Sequence, residues 1–278
     1  MAIFLALLSS ALWGTSDFCG GTLTRRRPAV TVTLLSELIG LSGVVVAAVA
    51  TNAFDAASGY LGWGLLGAVA GSIGIVAFYQ ALATGTMGVV APIASLGVIV
   101  PVAVGLVAGD RPSVLQDAGI VVAIAGVVLA GGPELQRGDG APASARPLLL
   151  AMVAAVGFGV VFVALDHGAR TSTVMTLLVM RGAAALMMAA VAALSATSLR
   201  VSKPDLPMLV VVGAFDVGAN ATFGYATRHG LLAVVAVLSS LYPAVTVVLA
   251  RAIHAERLAR IQLVGVVGAI GGVALIAS

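Results

Sequence analysis

Long apolar runs fill this sequence and restrict its fold more than any other feature. Of the 278 residues, 60% are hydrophobic and 9% are charged, so there are too few polar residues to cover a soluble core. In lipid the backbone has no solvent partner, which leaves helices and closed barrels as the spanning structures. Barrel strands alternate in polarity, and these runs do not. The sequence therefore predicts an all-α integral membrane protein.

The length of the chain predicts ten transmembrane helices. A span needs about 20 residues, so ten helices use roughly 210 residues and leave about seven for each loop. The predicted helices are 2–23, 30–50, 60–82, 88–108, 114–131, 147–166, 174–194, 206–227, 231–251 and 258–277. The first run lacks a preceding basic region and is followed by Arg25-Arg26-Arg27, so we interpret it as a retained helix and not a cleaved signal.

A short pattern occurs twice with identical spacing. The first copy is Asp110-Arg111, Gln116, Gly119 and Gly126, and the second is Glu256-Arg257, Gln262, Gly265 and Gly272. Trp13-Gly14 also resembles Phe158-Gly159, shifted by one residue. The duplication predicts two five-helix repeats, 1–132 and 147–278, joined by a linker at 133–146. An odd number of helices inverts the second repeat, and transporters with inverted repeats bind substrate near the midplane.

The basic residues predict an orientation in the membrane. Loops after odd-numbered helices contain Arg25, Arg26, Arg27, Arg137, Arg146, Arg200, Lys203, Arg251, Arg257 and Arg260, whereas the other loops contain Arg111, Arg170 and Arg228. The positive-inside rule then places the odd loops in the cytoplasm and both termini outside. The net charge of +3 is small and its basic residues are dispersed in loops, which does not favour a nucleic-acid partner.

Trp13-Gly14, the two acid-Arg…Gln…Gly patterns and the duplicated ten-helix layout together resemble the EamA branch of the drug/metabolite transporter superfamily. The resemblance implies a multi-pass secondary carrier of metabolites, amino acids or drugs in the inner (plasma) membrane, often an exporter, with no cofactor. It implies no ATP hydrolysis, and the sequence has no phosphate-binding Gly-Lys-Ser/Thr loop. Several relatives are expected to keep their termini in the cytoplasm, so both orientations stay open.

Asp17 is the first candidate binding residue. A charge at the centre of a span costs roughly 2.5–3.5 kcal/mol, so something must offset each one. Asp17 lies four residues after Trp13, on the same helix face. Trp13 could supply an aromatic wall for a cation or a ring, while Asp17 could bind a cation or take up a proton. The alternative places Asp17 nearer the membrane surface, where it would cap the helix end.

Further polar residues lie inside the predicted spans. Asp216 and Asn220 are four apart and either face the cavity or form an interhelical hydrogen-bond clamp. Glu37 and Arg181 occupy corresponding places in the two repeats and could form an ion pair, or Arg181 could bind a substrate carboxylate. The acids outnumber Arg181, which favours a cationic or zwitterionic substrate.

The aromatic and structural candidates are less distinctive. Tyr79 and Tyr225 share the repeat offset and are either cavity residues or interfacial anchors. Asp110 and Glu256 precede predicted helices, where an acid favours the N-terminal dipole. Glycines spaced four apart, as at Gly67 and Gly71, predict close helix packing within a monomer or across a homodimer seam.

Two other functions compete with the carrier. A lipid-modifying enzyme in the membrane needs a nucleophile, a base or a metal at membrane depth, and the sequence shows no convergent His/Asp/Ser set and no metal-ligand spacing. An ion channel would conduct far faster than a carrier turns over. The inverted duplication favours two halves that rock about one site, so the sequence predicts a transporter and not an enzyme.

Overall fold

All the regular secondary structure in the described part of the chain is helical. A computed structural model describes residues 1–85, 87–131, 145–254 and 260–277. The helices are α1 (Ala2–Thr24), α2 (Ala29–Ala50), α3 (Tyr60–Thr84), α4 (Met87–Ser95), α5 (Ile99–Ala108), α6 (Val114–Gly131), α7 (Ala145–Leu194), α8 (Leu206–Thr227), α9 (Leu232–Ser239), α10 (Tyr242–His254) and α11 (Arg260–Ala277). Short 3₁₀ turns lie at Ala53–Asp55, Leu96–Val98 and Lys203–Asp205. Residues 133–144 of the predicted linker and the pair Glu256-Arg257 lie outside the described residues.

Several of these helices have the length and hydrophobicity of transmembrane segments. Among the described residues, six helices are long and apolar enough to cross a membrane, and two shorter apolar helices accompany them. At 50 residues, α7 would be about 75 Å long as a single helix, well beyond a bilayer. Ser172 interrupts it with an extended backbone, and its hydroxyl accepts a hydrogen bond from the Met175 N–H, as a helix N-cap does. Residues 145–171 and 173–194 are therefore two helices.

Two predicted helices are each broken near their middle, which corrects the expectation of continuous spans. The predicted helix 88–108 consists of α4 and α5 with a 3₁₀ turn between them, and the predicted helix 231–251 consists of α9 and α10. Proline has no N–H to bond the carbonyl four residues earlier. Pro101 therefore leaves the Gly97 carbonyl without its helical partner, and Pro243 does the same for Ser239. Both breaks lie beside these carbonyls.

Helices from the first half of the chain pack mainly on helices from the second half. α1 lies against α8, α3 against α7, α2 against α7 and α8, and α6 against α11. Glycine permits the closest of these contacts, since a Cβ on Gly272 would lie 2.7 Å from the Gly119 carbonyl oxygen. The two halves thus share one interface instead of forming separate cores.

Gly14 and Gly159 make the same contact in the two halves. A Cβ on Gly14 would lie 2.5 Å from the Tyr242 carbonyl oxygen, and one on Gly159 would lie 2.5 Å from the Gly97 carbonyl oxygen. Val245 and Val100 flank these contacts in turn. Gly14 and Gly159 are 145 residues apart, as are Gly97 and Tyr242 (159 − 14 and 242 − 97). In each half, the glycine of the repeated aromatic-Gly pair therefore allows its helix to pack closely against another helix at the point where that helix is broken.

Asp110 hydrogen-bonds the N-terminus of a helix in the second half of the chain. Its Oδ2 accepts a hydrogen bond of 3.2 Å from the N–H of Ala233, in the first turn of α9. Gly105 leaves room for this carboxylate, because a Cβ there would lie 2.6 Å from the same oxygen. The acid from the first half thus caps a helix of the second half.

Candidate functional site

A chamber lies near the middle of the bundle, between α1, α2, α3, α7, α8 and α10. Its empty space, including open solvent at the mouth, is about 640 Å³. Its ionisable lining is Asp17, Glu37, Arg181 and Asp216. Trp13, Ser72, Phe158, Phe162, Asn220 and Tyr242 are among the other lining residues. Both halves of the chain therefore contribute to one site.

Arg181 bridges two carboxylates from different helices. Its Nη1 donates to both carboxylate oxygens of Glu37 at 2.9 Å, and its Nη2 lies 2.5 Å from Oδ2 of Asp216. Arg181 is 5% exposed and Glu37 is 8% exposed. A buried charge needs a close partner, and here one guanidinium serves two acids. The arrangement is an ion triad that joins α2, the second helix of α7 and α8.

Asp216 also holds α1 against α8. The Trp13 indole Nε1 donates to Oδ1 of Asp216 at 3.0 Å, and Asn220 Nδ2 donates to the Asp216 carbonyl oxygen at 2.6 Å. Ser9 Oγ donates to the Ala219 carbonyl oxygen on the same interface. Hydrogen bonds of this kind link helices in membranes. Trp13 and Asp216 therefore form an interhelical clamp, Asn220 supports Asp216 from within α8, and all three residues line the chamber.

Asp17 is placed differently from the other acids. It is 6% exposed and lines the chamber one helical turn from Trp13. Within the part of the chain that the structure describes, its carboxylate makes no hydrogen bond and no ion pair. Leaving a buried carboxylate unpaired is costly, so this position suits a group that a ligand or a proton would satisfy.

Aromatic rings form the wall beside Asp17. The ring centroids of Trp13 and Phe162 are 5.3 Å apart, and those of Phe162 and Phe223 are 4.8 Å apart in a stacked pair. Trp13 and Phe223 are separated by 5.9 Å. These spacings are within the favourable range for aromatic pairs, so Phe223 packs behind Trp13 and Phe162 of the chamber lining.

Three buried polar atoms in the chamber wall have no hydrogen-bond partner within the described part of the chain. They are Ser72 Oγ, Arg181 Nε and Tyr242 Oη, and their residues are 2%, 5% and 4% exposed. Nearly all buried polar atoms in proteins are satisfied by protein or water. These atoms are shielded from solvent in this conformation, so a polar ligand would reach them only after a local rearrangement of the wall.

The structure brings six of the eight predicted binding residues to the chamber and leaves two outside it. Tyr225 follows Asp216 by nine residues, which at 100° per residue places it on the opposite face of α8, and it is 40% exposed. Tyr79 lies one turn beyond Ile75 of the lining and is 2% exposed, with its ring packed on Gly20. The shared offset of the two tyrosines reflects the repeat and not the chamber.

Sequence reasoning did not select Ser72, Phe162 or Tyr242. Phe158 was visible as the counterpart of Trp13 in the repeat, and Tyr242 was visible only as the neighbour of Pro243 inside a predicted helix. Helix breaks are a known pointer to transporter sites, so the proline was the available signal for Tyr242.

The comparisons with known proteins decide the family. The sequence model described as the EamA-like transporter family matches residues 1–132 and 145–278. This chain belongs to the EamA-like transporter family. The predicted resemblance is thereby confirmed, and the protein has the membrane-embedded, transporter-like organisation of that family, in two repeats.

A solved crystal structure supports the same fold. It is 21% identical in sequence and superposes with a TM-score of 0.77, with 98% of this chain and 95% of the other chain covered. At that identity the likeness concerns the fold alone. The search for curated relatives found no match.

Proposed function

We propose that this member of the EamA-like family is a secondary carrier that exports a small organic metabolite, amino acid or drug across the plasma membrane by alternating access. The observation that carries the proposal is the central chamber, which is lined by helices from both halves and contains buried charges. Intramembrane ionisable residues that face a cavity mark substrate or proton pathways.

The spans of this carrier number ten, arranged as two inverted repeats of five. α4 with α5 forms one span, α9 with α10 forms another, and α7 contributes two. The equivalent contacts of Gly14 and Gly159, on two equivalently broken helices, support the pseudo-twofold relation. Broken helices at a repeat interface are typical of substrate sites in such carriers.

The positively charged end of the bundle faces the cytoplasm in this proposal. Arg27 pairs with Asp205 at 2.8 Å, which places the loops that follow α1 and precede α8 at one end. That end contains Arg25, Arg26, Arg27, Arg146, Arg200, Lys203 and Arg260. The opposite end contains Arg111, Arg170 and Arg228 together with Asp55, Asp110, Asp117 and Asp166. The positive-inside rule then places both termini outside.

Asp17 is the proposed coupling residue. Its carboxylate lies in the chamber with no partner among the residues that the structure describes, and there it can carry either a proton or a substrate cation, but not both at once. Competition of this kind links export of the substrate to entry of a proton. The ion triad keeps Glu37 and Asp216 occupied by Arg181, which leaves the exchange to Asp17.

Side-specific labelling tests the alternating chamber. Cys19 is the only cysteine, so a Cys19→Ala background accepts a single reporter, Ser72→Cys, in the chamber wall. A membrane-impermeant maleimide should label this reporter from either side of sealed proteoliposomes, without electrical conductance. Ala81→Cys, on the same helix at a position that is 0% exposed, should stay unlabelled. Labelling of Ser72→Cys from one side alone would contradict the carrier, and conductance would indicate a channel.

A further inference from the structure

We propose that the chamber selects an aromatic amine that has no carboxylate, with Asp17 as the counter-ion of its ammonium group. This inference rests on the proposed carrier function and narrows its substrate class. It follows from the excess of acids over bases in the chamber and from which of these acids already contact Arg181.

The charge balance of the chamber excludes a carboxylate from the ligand. The described lining contains three acids and one base, Arg181. That guanidinium is already shared between Glu37 and Asp216 at 2.9 and 2.5 Å. A ligand carboxylate beside Arg181 would face these two acids at close range, and like charges in a desolvated site are strongly unfavourable. An amino acid would thus bring a charge that the chamber cannot pair.

The same balance favours a cation next to Asp17. This carboxylate is 6% exposed and has no partner among the described residues. An ammonium group within hydrogen-bond distance would neutralise it and restore its lost solvation. Trp13 lies one turn away on the same wall, and an indole face adds cation–π attraction for the same group.

The other residues of the chamber wall indicate the chemical nature of the rest of the ligand. Phe158, Phe162 and Trp13 offer aromatic surface, which favours a planar apolar group. Ser72 and Tyr242 add hydroxyl groups to the lining, which suits a neutral polar group such as a phenolic hydroxyl that forms hydrogen bonds without adding charge. A phenol or indole ring with a short aminoalkyl chain combines these features.

Matched ligand pairs test the inference directly. Tyramine differs from tyrosine, and tryptamine from tryptophan, by one carboxylate. We expect the two amines to raise the unfolding temperature of the purified protein and to bind at least about 100-fold more tightly than their amino acids, as a buried pair of like charges would dictate. Equal or tighter binding of the amino acids would overturn the inference, as would the absence of binding by both amines.

Substitutions of Asp17 test whether this residue is responsible for amine binding. Asp17→Asn should remove amine binding, whereas Asp17→Glu should keep part of it. Tyr225→Phe, on the outer face of α8, is the matched control and should bind amines as the wild type does. Amine binding that survives unchanged in Asp17→Asn would overturn the role of Asp17.

The inference and the carrier function fail in different ways. Counterflow of labelled tyramine in proteoliposomes supports both. Counterflow of labelled tyrosine with no tyramine exchange overturns the substrate class and leaves the carrier intact. Labelling of the Ser72→Cys reporter from one side alone overturns the carrier, whatever the ligands do.

Discussion

Three charges in the centre of the bundle are tolerated because they satisfy one another. Each would cost roughly 2.5–3.5 kcal/mol if it stood alone in a span. Arg181 pairs with Glu37 through two hydrogen bonds and with Oδ2 of Asp216 through a third contact, and Trp13 and Asn220 donate to Oδ1 of Asp216. The triad still holds one more acid than base, but each of its acids has partners among the described residues, whereas Asp17 has none.

Removing the shared cation should destabilise the protein strongly. Arg181→Gln leaves Glu37 and Asp216 buried without their guanidinium, and breaking a buried pair in this way costs about 3–5 kcal/mol. The free energy of unfolding in detergent measures this loss. Arg228→Gln is the control, because Arg228 is exposed after the end of α8 and surface substitutions usually change stability by no more than about 0.5 kcal/mol. Equal effects of the two substitutions would show that water already solvates the triad.

For individual residues, the sequence predicted which charged side chains lie inside the spans and on which helix face, but not which groups they pair with. The spacing of Trp13 and Asp17 placed both on one face, and both line the chamber. Whether Arg181 forms an ion pair or binds a substrate carboxylate depends on which groups lie near it in the folded protein, and the sequence does not show this. The contact between Arg181 and Asp216 joins two helices, and residue spacing along the chain cannot predict it. Ser72 gave no signal because a small hydroxyl in an apolar run is common in helix packing.

Among the helices, the broken spans give the chamber its shape. The carbonyl oxygens at Gly97 and Tyr242 lie against Gly159 and Gly14, so each broken helix is pressed on a helix of the other half. Periodicity predicted continuous helices at these places because apolar runs have no break of their own. The prolines were the only sequence sign, and Pro101 and Pro243 do not occupy equivalent positions in the repeat.

Adding one methyl group at these contacts should separate the helices. Gly14→Ala and Gly159→Ala would each place a Cβ 2.5 Å from a backbone oxygen, and overpacking of this kind costs about 1–3 kcal/mol. Thermal unfolding measures the loss. Gly43→Ala in α2 is the matched control, since no atom lies within 4 Å of its added Cβ, and it should be neutral or stabilising by up to about 1 kcal/mol. A neutral Gly14→Ala would mean that α1 and α10 do not approach this closely.

The hydrogen bond between Asp110 and Ala233 is another contact between the two halves. Asp110→Ala removes the acceptor for the Ala233 N–H in the first turn of α9, and loss of such a cap costs about 1 kcal/mol. Asp110→Asn keeps an oxygen acceptor and should lose less than that. Asp55→Ala, at an exposed loop position, should change the free energy of unfolding by no more than about 0.5 kcal/mol. An Asp110→Ala protein as stable as the wild type would refute the cap.

For the whole molecule, the interleaving of the two halves constrains how the chamber can open. α1, α2 and α3 each pack on helices of the other half, so neither half can move without sliding along the other. Small residues line these sliding surfaces: a Cβ on Gly213 would lie 2.5 Å from the Ser36 carbonyl oxygen, and one on Gly40 would lie 3.2 Å from that of Gly213. The sequence predicted the two halves through their repeated pattern, but it could not show that they interdigitate.

A covalent link between α2 and α8 should therefore stop transport. A Cβ at Gly40 would lie 3.6 Å from the Cβ of Val217, within the range of about 3.5–4.5 Å that disulfides require. In the Cys19→Ala background, the oxidised Gly40→Cys/Val217→Cys protein should lose counterflow of labelled tyramine, or of tyrosine if the amino acid is the ligand. Reduction should restore it, and each single variant should stay active under oxidation. Full exchange through the cross-linked protein would mean that α2 and α8 move as one body, so the chamber would have to open along another pair of helices.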